Sequence, residues 1–150
     1  MTNISDEIKQ HIYESSKQKA LLNLMFTHNW IHQKINDFFR GQVITNQQFN
    51  VLRILNGKHP KPCTAKYIKE VMIFKAPDLT RLLDRLVDKK LVKRSLCSEN
   101  RRSLDISITN SGIELLNKLN PELHISMDHH FGLTEQESET LSNLLDKVRN

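Results

Sequence analysis

The stretch from Asp78 to Gly112, DLTRLLDRLVDKKLVKRSLCSENRRSLDISITNSG, changes its hydrophobic period part-way and so decides the fold. Its first part repeats apolar residues at steps of three and four, as an amphipathic helix does: Leu79, Leu82, Leu83, Leu86 and Val87. Apolar residues then alternate with polar ones, as in short strands: Val92 and Leu96, then Leu104, Ile106 and Ile108. The stretch therefore predicts a helix followed directly by a β-hairpin, with CSENRRS between its strands.

A second helix is predicted immediately before this one. Thr64 is a suitable N-cap for AKYIKEVMIF, in which Ile68, Val71 and Met72 face inward. Pro77 suits the first position of the following helix, because its missing N–H costs nothing there. We therefore predict helices over 64–73 and 77–90, joined by a turn of about three residues, as a helix-turn-helix requires.

The remaining segments are also predicted to be helical, and several begin at recognisable caps. Two pairs have the spacing of capping boxes, and one threonine can cap the helix after the hairpin. These caps are Thr45 with Gln48, Thr134 with Glu137, and Thr109. We expect Gly57 to end the helix that begins at Thr45, and Pro121 to kink the helix that follows the hairpin.

The first 40 residues carry more apolar surface than the core of a small domain requires. Apolar residues recur at helical steps over 21–39, and Ile4, Ile8 and Ile12 continue the pattern backwards. Gly41 closes the segment. We expect one or two helices here, which either wrap the core or bury part of their surface against a second chain.

These elements together predict a mainly α fold with a small β-hairpin wing, a winged helix-turn-helix. The 150 residues fit one domain, over 1–150, in which about 45–108 form the winged lobe. The N-terminus lacks the basic patch and apolar run of a signal peptide, and no apolar run approaches a membrane span. We therefore expect a cytoplasmic protein with no membrane partner.

Charge is concentrated in the winged lobe. Thirteen basic and five acidic residues lie between Lys58 and Arg102, a net charge of +8, whereas the rest of the chain carries −3. A central basic segment between neutral or acidic arms is typical of a protein with a polyanionic partner. A solvated basic face without a partner is the alternative.

Double-stranded DNA is the polyanion that this arrangement fits best. The second helix can enter the major groove, about 12 Å wide, with Lys75, Asp78, Thr80 and Arg81 at its leading end. Arg81 is the best candidate for a bidentate contact with guanine. Arg85 is a second candidate, although intrahelical pairing of both arginines with Asp84 and Asp88 is an alternative.

Two further groups are candidates for DNA contact. Thr64 and Lys66, at the start of the preceding helix, could hold phosphates with the help of backbone N–H groups. Asn100, Arg101 and Arg102 lie at the hairpin tip without a hydrophobic neighbour, where they contact nothing in their own fold.

No motif points to an enzyme. The sequence contains no GxSxG, P-loop or HExxH pattern and suggests no Ser-His-Asp triad or cofactor site. A winged helix that binds protein or RNA is the competing class, although a basic wing and leading end favour duplex DNA.

The sequence resembles the MarR (multiple antibiotic resistance regulator) family. DLTRLLDRLVDKKLVKR and NRRSLDISITNSG look like the core of that family, FNVLRIL resembles its second helix, and LTEQESETLSNLLDKV its closing helix. The resemblance implies a bacterial, homodimeric transcription regulator, more commonly a repressor. Such a regulator binds a near-palindromic operator and is released by a small ligand or by oxidation.

The resemblance also implies roles for individual residues. The family's wing arginine, which enters the DNA minor groove, corresponds to Arg102. The recognition-helix contacts fall on residues 75–81, which adds Ala76 and Pro77 to the candidates. The dimer surface falls on the first helix and on the last two, about 1–40 and 110–150.

Two positions depart from the family pattern. Asn100 stands where the family usually has Asp, which would orient the wing arginine as a charged partner. Lys90 stands where the family usually has Gly. Because Lys lacks glycine's ease with a positive φ, we expect this turn to be strained or built differently.

Aromatic residues and histidines on the first long helix raise two further possibilities. Phe26 and Trp30 are candidates for core or for an effector pocket between the dimer helices and the DNA-binding lobe. His28 and His32 share a helix face and are weak candidates for a metal-responsive site, together with His124, His129 and His130. No acidic residue is in register with the first pair, so we expect no metal.

The two cysteines are predicted to be free thiols. Cys63 and Cys97 show no CxxC spacing and belong to no histidine cluster. Both lie in a basic neighbourhood that could lower a thiol pKa, so a redox switch is the alternative.

Overall fold

The computed structural model describes residues 3–96 and 104–150. Within them the chain forms helices and short strands, which we number in chain order. They are α1 (Ile4–Glu7), α2 (Ser16–Phe39), α3 (Asn46–Lys58), β1 (Cys63–Thr64), α4 (Ala65–Val71), α5 (Leu79–Asp88), β2 (Val92–Leu96), β3 (Leu104–Ile108), α6 (Asn110–Asp128) and α7 (Glu135–Arg149). This order confirms a mainly helical fold with a β wing.

The core lies between α3, α4, α5, α6 and the sheet. Its centre is made of fully buried aliphatic side chains: Leu52, Leu55, Ile68, Leu83, Leu86, Ile106 and Leu119. Each buried side chain of this size contributes about 1.5–3 kcal/mol to folding. The predicted leucine stripe of α5 is confirmed, since Leu79, Leu82, Leu83 and Leu86 are all buried.

The strands form one antiparallel sheet in the order β1-β3-β2. In the hairpin, Val92 pairs with Ile108 next to the core, and Leu96 pairs with Leu104 at the far end. The near pair is buried, whereas Leu96 is 73% and Leu104 47% exposed, so the hairpin extends away from the core. The sequence did not predict β1, because two residues are too few to show an alternating pattern.

The caps expected from the sequence are present. Thr45 with Gln48, and Thr134 with Glu137, form reciprocal capping boxes, in which each side chain accepts a hydrogen bond from the other residue's backbone N–H. Thr64 and Thr109 cap α4 and α6 in the same way, through one hydrogen bond each.

The N-terminal segment differs from the continuous pattern suggested by Ile4, Ile8 and Ile12. Helix α1 ends after one turn, Lys9 adopts a φ of 54°, and Ser15 caps the start of α2. Ile4 is buried, whereas Ile12 is 87% exposed. Recurring apolar residues across 4–12 thus do not belong to one helix.

Other boundaries of the predicted helices also differ. Helix α3 continues through Gly57 to Lys58, one residue past its predicted end. Pro121 lies inside α6, where a kink is predicted. The expected first-position role of Pro77 is wrong, because Asp78 is the N-cap of α5 and Pro77 precedes it. The connection from α4 to α5 runs from Met72 to Asp78 and is longer than the predicted three-residue turn.

The helices at the two ends of the chain keep much apolar surface exposed. On α2, Leu21, Leu24 and Met25 are 38–57% exposed, and none of the residues of α7 is buried. On α7, Leu144 is 56% and Val148 72% exposed. An amphipathic helix whose apolar face is not buried gains little stability from packing within its own chain.

The turn after α5 brings the backbone at Lys90 and Leu91 close to the start of α6. Lys90 has a φ of 58°, the left-handed conformation that ends many helices. The Thr109 side chain donates to its carbonyl oxygen at 2.7 Å, and the Thr109 backbone N–H donates to Leu91 O at 3.0 Å. A Cβ on Gly112 would overlap Leu91 O and lie 2.7 Å from Ile108 Cγ1. This close approach requires glycine at position 112.

We expect Lys90→Gly to stabilise the fold. A left-handed L-residue is strained by about 1–2 kcal/mol, and the extra backbone entropy of glycine in the unfolded chain offsets part of the relief. The free energy of unfolding measured in urea should rise by up to about 1 kcal/mol. Lys90→Ala is the control, because it removes the ammonium and keeps the Cβ. An equal gain in the control would attribute the effect to charge and not to strain.

Candidate nucleic-acid interface

Helix α5 presents a polar face to solvent. Its four leucines hold it against the core, and Thr80, Arg81 and Arg85 are exposed on the opposite side. The three predicted contact residues of this helix therefore lie on one accessible surface. A ten-residue helix fixed in this way can be inserted into a DNA groove without unfolding its own packing.

The arginines of α5 do not pair with the acids of their own helix. Asp84 instead forms an ion pair with Arg94 of β2, at 2.5 Å. Within residues 3–96 and 104–150, neither Arg81 nor Arg85 makes an ion pair or a side-chain hydrogen bond to the protein. Both guanidinium groups are thus available for an external ligand.

Arg94 connects the wing to α5. Its Nη1 reaches Asp84 Oδ1, and its Nη2 donates to the backbone oxygen of Thr80 at 3.3 Å. The Arg94 side chain is 25% exposed, so the pair is partly shielded from solvent. Arg94 is not among the contact residues predicted from the sequence, where it contributes only to the basic charge. Its contact depends on a strand lying beside the helix, which helical spacing cannot show.

Two predicted contact residues at the leading end hold the turn in place. Lys75 Nζ donates to Lys69 O and Glu70 O, at 3.0 and 3.1 Å, and so satisfies carbonyl groups at the end of α4. The Asp78 carboxylate accepts from the Arg81 backbone N–H at 2.9 Å. Both side chains are exposed. The sequence predicted only DNA contact for them, whereas their hydrogen bonds show that they also have a structural role.

The remaining described candidates surround this end of α5. Ala76 and Pro77 line an open cleft of about 270 Å³ with Arg81 and Arg85. Lys66 is exposed on the first turn of α4, where Thr64 Oγ1 accepts the Tyr67 N–H at 3.2 Å. The predicted contacts at Asn100, Arg101 and Arg102, and also Cys97, lie outside the described residues.

Comparison with known proteins identifies this arrangement. The model of the MarR family matches residues 44–104, from the residue before the α3 cap to the first residue of β3. A crystal structure of a MarR transcription factor from Planctomyces limnophilus shares 30% identity, with 92% of this chain and 98% of that chain covered and a TM-score of 0.69. This chain belongs to the MarR family.

Two further relatives agree with the family assignment. The Staphylococcus aureus MepR–DNA complex shares 26% identity, covers 86% of this chain and 94% of that chain, and has a TM-score of 0.71. YpoP of Bacillus subtilis, an HTH-type transcriptional regulator, is 29% identical over 119 residues, 79% of this chain and 82% of its own length. The MarR-family chain is a DNA-binding transcription regulator, and its family is one of regulators and not of enzymes.

The two aromatic residues predicted for core or for an effector pocket lie on the N-terminal helices of the chain. Phe26 and Trp30 line a cleft between α1 and α2, with Ile4 and Glu7 on the other side. This cleft is formed by the N-terminal arm of the MarR-family chain, and none of its lining residues belongs to the winged lobe.

Several of the predicted metal candidates lie beside another aromatic ring. His28 and His32 stack with ring centroids 6.2 Å apart, and His130 lies edge-on to Trp30 at 5.9 Å. Over residues 3–96 and 104–150, no three His, Cys, Asp or Glu side chains are grouped to hold a metal ion. Over the same residues, no helix combines the length and apolar character needed to cross a bilayer.

Cys63 is a buried thiol on β1, paired with Ile106 of β3. Burial raises the pKa of the Cys63 thiol, and the nearby Lys58 ammonium offsets only part of that effect. The thiol is therefore protonated at neutral pH. Because the thiolate is the reactive form, this environment disfavours Cys63 as a redox switch.

We expect the Asp84–Arg94 contact to stabilise the winged lobe measurably. A double-mutant cycle with Asp84→Asn and Arg94→Gln should give a coupling free energy of about 0.5–1 kcal/mol in urea unfolding. The matched control is the Asp37–Arg40 pair, in which the arginine side chain is 83% exposed. There the same exchanges should give a coupling near zero. Equal coupling in both pairs would contradict a special role for Arg94.

Proposed function

We propose that this MarR-family chain is a repressor that binds a near-palindromic operator as a homodimer and is released by a small ligand or by oxidation. In this proposal α5 enters the major groove and the wing arginine enters the minor groove. The observation that carries it is the face of α5, where Arg81 and Arg85 are exposed and unpaired within the described residues. Residues of about 45–108 form the DNA-binding lobe of one domain, 1–150.

Base recognition would begin at the leading end of α5. An α-helix with its side chains is about 10–12 Å in diameter and fits the major groove, which is about 12 Å wide, and the ten residues of α5 extend about 15 Å along it. Arg81 lies one turn from the N-terminus of α5 and can donate two hydrogen bonds to guanine O6 and N7. Thr80 can donate to or accept from a base, and Arg85 lies one turn further on.

Phosphate contacts would fix the orientation of the lobe. Lys66 on α4 is exposed beside the leading end of α5, and the net charge of +8 over 58–102 favours a polyanion. Thr64 lies at the N-terminus of α4, where backbone N–H groups can also meet a phosphate. These contacts supply affinity and register, whereas the α5 contacts supply sequence preference.

The wing would supply a second set of DNA contacts, in the minor groove. Arg102, with Arg101 and Asn100 beside it, follows β2 and precedes β3, which extend away from the core. Narrow minor grooves concentrate negative potential and attract arginine. The contact of Arg94 with α5 would keep the wing at a fixed distance from the recognition helix, so that both reach adjacent grooves.

A second copy of the chain is the partner that the exposed apolar surface favours. Helix α7 has no buried residue, and α2 exposes Leu21, Leu24 and Met25. We propose that about 1–40 and 110–150 form the dimer interface, which would bury these faces against their symmetry mates. The two copies of α5 would then lie about 34 Å apart, one turn of DNA, which explains a palindromic site.

Repression and release follow from the same geometry. A dimer bound across a promoter blocks access of the polymerase to the DNA. A ligand that binds better to a dimer with a different spacing of its two α5 helices shifts the population to that form and lowers operator affinity.

The DNA contacts can be tested with duplex from the promoter of the chain's own gene, by fluorescence anisotropy. Affinity should fall steeply with salt, and Arg81→Ala and Arg102→Ala should each cost about 1–3 kcal/mol. Arg53→Ala is the matched control, because Arg53 is exposed on α3 and belongs neither to the proposed DNA contacts nor to the proposed dimer segments. Binding that is insensitive to DNA sequence, or preferred binding to RNA or protein, would refute the operator proposal.

The dimer is tested by light scattering at micromolar concentration, where the mass should be twice 17.5 kDa. Leu144→Glu should shift the mass toward the monomer, because it introduces a charge into the proposed interface. Asn143→Glu is the control, since its position faces the opposite side of α7. A monomeric wild-type protein would rule out the dimer.

A further inference from the structure

The cleft between α1 and α2 has features of a ligand site that the DNA-binding surface does not use. It is an open cleft with a volume of about 370 Å³, at the lower end of the range of small-molecule sites. Its lining consists of Ile4, Glu7, Asn23, Phe26, Thr27 and Trp30. Ile4 is only 7% exposed, and α1 contacts α2 beside this cleft.

The cleft lies on the side of α2 opposite its exposed apolar stripe, Leu21, Leu24 and Met25. Asn23, Phe26, Thr27 and Trp30 have the spacing of three, four and seven residues that places them on one side of a helix. At 3.6 residues per turn, the exposed stripe of Leu21, Leu24 and Met25 points in nearly the opposite direction. A dimer formed through that stripe leaves the cleft accessible to a ligand.

The chemistry of the lining selects a cation. Glu7 is the only ionisable side chain among the lining residues, and it is exposed to the cleft with a free carboxylate in the described structure. Phe26 and Trp30 supply aromatic rings, whose faces attract positive charge. Trp30 already has a cation nearby, since Lys34 Nζ lies 5.7 Å from its ring centroid. Lys34 does not line the cleft.

We propose that this cleft binds a small organic cation that carries an aromatic group, such as an aryl-substituted amine or quaternary ammonium compound. The cationic centre pairs with the Glu7 carboxylate, and the aromatic group packs against Phe26 and Trp30. Asn23 and Thr27 provide an amide and a hydroxyl at the polar side of the cleft. As an effector site, the cleft rests on the proposed function of a ligand-released regulator.

Helix α2 connects the cleft to the DNA-binding lobe. Two residues beyond Trp30 on α2, His32 contacts Phe74 with ring centroids 5.4 Å apart. Phe74 lies in the connection between α4 and α5, directly before the leading end of the recognition helix. Further along α2, Phe39 contacts Phe49 of α3 at 5.1 Å. A shift of α2 on ligand binding therefore acts on groups that position α5.

The first arm of the test measures binding without DNA. Trp30 is the only tryptophan in the chain, so its fluorescence reports on the cleft directly. Titration with benzyltrimethylammonium should give a saturable change in emission, and benzoate, of similar size and opposite charge, should give none. Glu7→Gln should weaken binding of the cation about tenfold. Glu14→Gln, outside the cleft on the same N-terminal segment, should leave it unchanged.

Two results of this arm would overturn the ligand assignment. One is a response to benzoate equal to that of the cation, and the other is undiminished affinity of Glu7→Gln. A second variant, Phe26→Leu, preserves apolar volume and removes one aromatic ring. Phe26→Leu should weaken binding of the cation severalfold, while its circular dichroism spectrum should match that of the wild type. The two measurements together separate loss of binding from loss of fold.

The second arm adds the cation to the protein–DNA complex and measures anisotropy. A loss of DNA affinity that Glu7→Gln abolishes supports the effector role. Cation binding in the first arm with unchanged DNA affinity refutes that role. If the chain binds no promoter DNA at all, the proposed function fails, and the fluorescence titration still decides whether the cleft takes a cation.

Discussion

The structure depends on the burial of the leucine face of α5. Leu79, Leu82, Leu83 and Leu86 are all buried, and they hold the helix at a fixed depth in the core. Because the leucine face supplies the packing of α5 against the core, the opposite face is not needed for packing and can carry arginines and acids. Loss of this packing would remove the support of the turn before α5 and of the strands after it, since both pack on the same core.

Polar contacts then refine the position of each neighbour of α5. Asp78 caps its N-terminus, Lys75 satisfies the end of α4, and Arg94 connects the wing through Asp84. Each of these contacts contributes modestly to stability, since an N-cap is worth about 0.5–2 kcal/mol and a partly exposed ion pair at most about 1 kcal/mol. Their importance is geometric: they reduce the number of orientations available to the side chains that remain unpaired.

Much of this architecture could be predicted from the sequence, because its signals are local. The change of period after Lys90, the leucine spacing of α5 and the capping residues each act within a few positions along the chain, and the structure contains all of them. The special conformation at position 90 was predictable only from the resemblance to the MarR family, which usually has glycine where this chain has Lys90. What failed were boundaries: α5 begins after Asp78 and not at Pro77, and the left-handed Lys9 separates Ile12 from the helix that contains Ile4.

The site was predictable in position but less so in detail. The exposed arginines of α5 followed from helical periodicity, whereas the contacts of Lys75 and Arg94 depend on segments brought together by folding. The cleft beside Trp30 depends on the way α1 folds back onto α2, which no spacing in the sequence indicates. The absence of any buried residue on α7 has a further consequence for the proposed dimer. The packing of this helix would depend on the concentration of the chain, as DNA occupancy does. Dilution during growth would then weaken both the packing of α7 and the binding of the dimer to DNA, so that the regulator's activity would respond steeply to its own concentration.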